Sequence, residues 1–132
     1  MEHKRLSMRA LLSFIAAANF AVTIWHLHVV AGLDPGAPIA VSLRIATYAG
    51  VLTLAGIALA WTGWPKIGSL VLIVVFALGF VIGGSEHFLA AGPTNVFDVG
   101  GAWALPFKIT VAILVLFQVA GLAAAGRLLA AR

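Results

Sequence analysis

Three of the four histidines in this chain, His26, His28 and His87, lie at or near the ends of long apolar runs. So do three of its four acidic residues, Asp34, Glu86 and Asp98, together with Arg44 and Lys108. A charge at the centre of a bilayer costs about 3 kcal/mol on insertion scales, so polar groups in such runs need a reason. His26, Glu86 and His87, with Asp98 from a following loop, form a candidate metal set, because imidazole and carboxylate together suit copper, zinc or iron. His26 and His87 stand on different segments and are also a candidate pair for holding a haem between helices. A quinone site needs less: a histidine or arginine donor near the interface (His26, Arg44 or His87) and apolar walls such as Trp25, Phe88 and Trp103.

Spacing sorts these residues. Asn19, Thr23 and His26 follow an i, i+4, i+7 pattern and form one polar stripe on a helix, which should face a bundle interior. His28 is two residues from His26, about 200° around a helix, so the two do not chelate together while the helix stays regular. Each residue also has a plainer role. His26 reads equally as an interior histidine hydrogen-bonded to Thr23 or to a neighbouring helix. His28 reads as an interfacial residue among headgroups. Arg44, which shares a face with Tyr48, and Lys108 are expected to snorkel to lipid phosphates or to pair with Glu86 or Asp98. Gln118, deep in the last apolar run, is expected to hydrogen-bond across helices.

The elements that must carry these side chains follow from composition. Of 132 residues, 63% are hydrophobic and only 9% are charged, and the mean hydropathy is +1.13. A soluble domain of this size needs more charge to cover its surface. A bilayer core takes about 20 apolar residues per helix, and the sequence offers four such runs, at about 10–31, 39–61, 67–89 and 103–129. The expected fold is therefore all-α: an integral membrane protein made of one four-helix bundle, with short loops making consecutive helices antiparallel. Gly32 to Gly36 ends the first run and Pro38 sits where a first-turn proline would start the second. Trp61 and Trp64 flank a tight turn at Pro65-Lys66, as an aromatic belt would. The first run is too long for the apolar core of a cleaved signal peptide and is read as a retained span.

Basic residues set the orientation. Lys4, Arg5, Arg9, Lys66, Arg127 and Arg132 fall on one side with only Glu2 opposing them, so both termini are expected in the cytoplasm of a cell with the protein in its inner (plasma) membrane. The polar residues above then gather at the outer end. Gly79 and Gly83, and Gly121 with Ala125, have the small-xxx-small spacing that lets membrane helices approach closely, within the bundle, in a homo-oligomer or against other membrane subunits. The formal charge of +4 reads as topology and lipid contact; no nucleic acid partner is expected. With no cysteine there is no disulfide, thiolate metal site or thiol chemistry. No phosphate-binding loop, nucleophile elbow or zinc-protease motif occurs, and the lack of a mid-span acid counts against a proton-coupled exporter.

The stretch from Gly50 to His87 resembles the DoxX-like group of small four-helix membrane proteins. The likeness rests on the apolar second run Val51 to Leu59, the turn ending in Pro65-Lys66, and a third run closing on Glu86-His87-Phe88. It covers about a third of the chain. The acid expected early in the second run of such proteins is replaced by Tyr48 and Gly50, and Trp25-His26-Leu27-His28 does not match the usual end of the first. The resemblance implies a redox-associated membrane subunit, linked to quinone. The leading expectation is a non-catalytic small subunit of a larger membrane complex, in the first place a redox complex, from the tiny extramembrane portion, the small-residue faces and the lack of any catalytic motif. The alternatives are a haem-, metal- or quinone-binding protein using the outer cluster, with haem, copper or quinone as the expected cofactor, and a small channel or exporter lined by Asn19, Thr23 and His26.

Overall fold

The computed structural model describes residues 2–36 and 39–130, apart from the side chains of Glu2, Lys4, Arg5 and Ile39; Pro38 and Arg132 lie outside the described residues. Four helices carry the chain: α1 (Glu2–Leu33), α2 (Ile39–Trp61), α3 (Pro65–Gly84) and α4 (Ala104–Ala130), with no strand among the described residues. Each is long and apolar enough to cross a membrane, which makes this a multi-pass membrane bundle. α3 runs on into a π-helical turn, Ser85–Leu89.

The helix starts differ from expectation for local reasons. α1 begins at Glu2 rather than Ala10, because residues 2–9 contain no proline or glycine to stop backbone hydrogen bonding, whatever their charge. α3 begins at Pro65, where a proline at the first helical position needs no N–H partner. Pro106 is tolerated in the first turn of α4 for the same reason.

α1 and α3 each pack against α2 and α4. One apolar cluster joins Leu12, Ile15 and Ala16 of α1 to Leu72 and Phe76 of α3 and to Ala124, Ala125 and Leu128 of α4. A second joins Val29 and Val30 of α1 to Phe107 and Val111 of α4 and to Val99 of the α3–α4 connection. Small residues set the close approaches, but not all of them are the expected ones. A Cβ on Gly68 of α3 would collide with the backbone of Gly56 and Ala60 on α2, and one on Gly121 would enter the ring of Phe76. Gly79 makes room for the Gln118 amide, whose Nε2 would lie 2.8 Å from a Cβ there, whereas a Cβ on Gly83 would come within 4 Å only of the His87 ring, on the continuation of its own helix. Gln118 is buried against Gly79, and among the described residues it makes no cross-helix hydrogen bond of the kind expected of it. A polar tie joins α1 and α2, from Trp61 Nε1 to Ser13 Oγ at 2.8 Å. Large apolar side chains such as Phe14, Leu54, Val81 and Leu116 point outward, which is the surface a lipid solvent selects.

Candidate functional site: a buried histidine pair

The end of the bundle where α1 stops and α4 begins holds the two histidines that the sequence singled out. α1 supplies His26, and the π-helical turn supplies His87. That turn closes with an i+5 bond from Ala90 N–H to the Ser85 carbonyl, 2.9 Å, the wide spacing that defines a π-bulge. The following connection then folds back on His87. Val96 N–H donates to the His87 carbonyl at 2.9 Å, and the Asn95 amide both donates to the Ala90 carbonyl at 2.8 Å and accepts from Phe97 N–H at 2.9 Å. Asn95 is buried, so this stretch is held by an internal frame and not by solvent.

His26 and His87 are 5% and 8% exposed, and their Nε2 atoms face each other at 3.1 Å. The rings meet edge to face, with centroids 4.9 Å apart, and the fully buried Phe107 packs on both, at 5.4 Å and 5.2 Å. Each Nδ1 is tied to an oxygen. His87 Nδ1 is 3.0 Å from the Thr94 carbonyl, and His26 Nδ1 is 2.8 Å from Thr110 Oγ1. Thr110 Oγ1 in turn lies 2.9 Å from the Phe107 carbonyl.

A proton inventory of this chain is short. A carbonyl only accepts, so the Nδ1 of His87 carries a hydrogen and the Nε2 of its neutral form offers a lone pair. In one arrangement the Thr110 hydroxyl donates to His26 Nδ1, and His26 Nε2–H donates to His87. In the other, Thr110 donates to the Phe107 carbonyl and accepts from His26 Nδ1–H. Two Nε2 lone pairs then face each other, and they require a cation between them, of which the simplest is one shared proton. The two differ by the turn of one hydroxyl, by which nitrogen of His26 carries its hydrogen, and by the added cation.

The other anticipated residues do not join the pair. Glu86, Asp98, Arg44 and Lys108 are all exposed, and no group of three or more His, Asp or Glu side chains suited to a metal forms among the described residues. The set His26, Glu86, His87 and Asp98 is thus reduced to its two histidines. His28 is exposed between Trp25 and Trp103, with centroids 5.6 Å and 5.8 Å away, so the His-x-His dipeptide splits as helix geometry requires. Thr23 donates to the Asn19 carbonyl of its own helix at 2.9 Å, which leaves His26 to its partners on other elements. Asn19 is buried, and its Oδ1 has no partner. A haem does not fit the pair as it stands. Axial imidazoles on opposite faces of a porphyrin stand about 4 Å apart, twice a metal–imidazole bond of about 2 Å, and here the rings are in direct contact under Phe107.

The sequence did not single out Thr110 or Thr94. Thr110 had a weak signal, as a hydroxyl at a core position of an otherwise apolar run; Thr94 acts through its backbone carbonyl and had none. Comparison with protein-family models, with curated proteins and with solved structures finds no match to this chain.

Proposed function

We propose that this chain is a non-catalytic small subunit of a larger redox complex in the inner membrane, and that its contribution is the His26–His87 pair acting as a site that takes up and gives back one proton. The observation that carries the reading is the hydrogen-bonded line from the Thr94 carbonyl through His87, His26 and Thr110 to the Phe107 carbonyl. It links α1, the π-helical turn, α4 and the α3–α4 connection. The line ends on two carbonyls, which only accept, so a proton is taken up and given back at the Nε2–Nε2 contact, where the two imidazoles hold it between them with no movement of the backbone. Among the described residues no group of three or more metal-ligating side chains forms around them, and the adjoining hydroxyl of Thr110 also bonds back to its own helix, which favours a supporting role over catalysis. The redox character of the complex rests on the DoxX-like resemblance, with its quinone link.

In this reading consecutive helices run antiparallel and both termini are cytoplasmic, as the basic residues Arg9, Lys66 and Arg127 favour. The pair then lies near the outer face. Purification from native membranes in a gentle detergent tests the proposal. The chain should co-purify in fixed ratio with larger subunits, and His26→Ala or His87→Ala should lower the turnover of the complex without dissociating it. An isolated chain with full activity of its own would overturn the proposal.

A further inference from the structure

The hydroxyl of Thr110 lies within hydrogen-bonding distance of the Phe107 carbonyl, and each histidine Nδ1 lies against an oxygen. When all three contacts are made at once, neither Nε2 carries a hydrogen, and the two nitrogens face each other across 3.1 Å. Metal-bound histidines are held in this way, with the far ring nitrogen donating to a carbonyl or hydroxyl that fixes tautomer and ring orientation.

We infer that the His26–His87 pair is a binding site for one copper(I) ion, which takes the place of the shared proton. The inference rests on the pair being the working element of the chain and not on any partner complex. Distance supports a bent site. Two nitrogens about 2.0–2.1 Å from a tetrahedral metal stand about 3.3 Å apart, and the observed separation of 3.1 Å is within a few tenths of an ångström of that. A linear site needs about 4.1 Å and would force the rings apart under Phe107. Imidazole suits copper, zinc, iron and nickel alike, so charge decides among them. Glu86 adjoins His87 in the chain but is exposed, as is Asp98, and among the described residues no carboxylate joins the two histidines as a ligand to compensate a buried charge directly. The cost of burying an uncompensated charge rises steeply with its size. A monovalent ion is therefore favoured over a divalent one. With only two protein ligands, at least one coordination position stays open to a small external ligand. Starting from the neutral pair, binding moves one hydrogen of His26 from Nε2 to Nδ1 and turns the Thr110 hydroxyl to Phe107, with no net proton release; starting from the protonated pair, it releases one proton.

The test is an anaerobic titration of the full-length protein in detergent with copper(I), in competition with a chromophoric copper(I) chelator, and a parallel titration with zinc(II). One copper(I) per chain is expected, with affinity falling at least 100-fold in His26→Ala and in His87→Ala and unchanged in His28→Ala. Thr110→Val should lower it roughly 10–100-fold, the usual effect of losing an outer-shell partner. Copper X-ray absorption on the unaltered protein should show two imidazoles at about 2.0 Å, a readout independent of whether the alanine variants fold. Absence of binding, binding retained in both alanine variants, a preference for zinc(II), or an absorption spectrum without imidazole would each overturn the inference. Co-purification with larger subunits is measured separately, so loss of the copper site leaves the subunit proposal standing, and the reverse holds too.

Discussion

One hydroxyl decides which nitrogen of His26 carries a hydrogen. Thr110 is 3% exposed and has no rival for that role, so Thr110→Val, which keeps the shape, leaves a buried ring nitrogen unpaired. The expected cost is about 1–3 kcal/mol, read as a fall in thermal midpoint in detergent, with Thr110→Ser recovering most of it. Asn19 makes the opposite case. Its Oδ1 is already buried and unpaired, so replacing it removes a penalty without breaking a bond. Asn19→Leu should leave the thermal midpoint unchanged or raise it; a fall equivalent to more than about 1 kcal/mol would mean that the amide is held by something essential. At this scale the sequence was half legible. His26 and His87 stand out because an imidazole in an apolar helix is conspicuous, while Thr94 contributes only a carbonyl that every residue possesses.

Helix α3 is fixed at both ends by features of different visibility. Its start at Pro65 and its approach to α2 at Gly68 follow from residue type. A Cβ at Gly68 meets backbone and not a flexible side chain, so Gly68→Ala must push α2 and α3 apart. A loss of about 2 kcal/mol or more in detergent unfolding is expected, in the range of overpacked cores. Gly84→Ala on the same helix, with nothing within 4 Å, should instead stabilise by about 0.5–1 kcal/mol. The four apolar runs and their order were plain from hydropathy. The partner of Gly68 was not: Gly56 and Ala60 have the same spacing as Gly79 and Gly83, and only packing tells which pair meets a neighbouring helix. The π-helical turn was likewise hidden, because no residue type demands one; it arises where Ser85–Leu89 is drawn into the frame made by Asn95 and Val96.

Orientation belongs to the whole molecule, and the absence of cysteine makes it easy to measure. With both termini inside, Gly63→Cys should react with a membrane-impermeant thiol reagent only after the cells are opened, and Pro93→Cys should react in intact cells. The reverse pattern would invert the bundle. The network also bears on how the chain is made. His26 meets His87 across 61 positions and Thr110 across 84, so its parts leave the ribosome at well-separated times. Until α4 arrives, His26 lacks both its anchor and the cover of Phe107, and the nascent protein carries two half-solvated imidazoles into lipid. Arrival of the last helix resolves that. The pair therefore marks complete insertion, and a chain stalled before α4 would expose the polar groups by which membrane quality control recognises unfinished proteins.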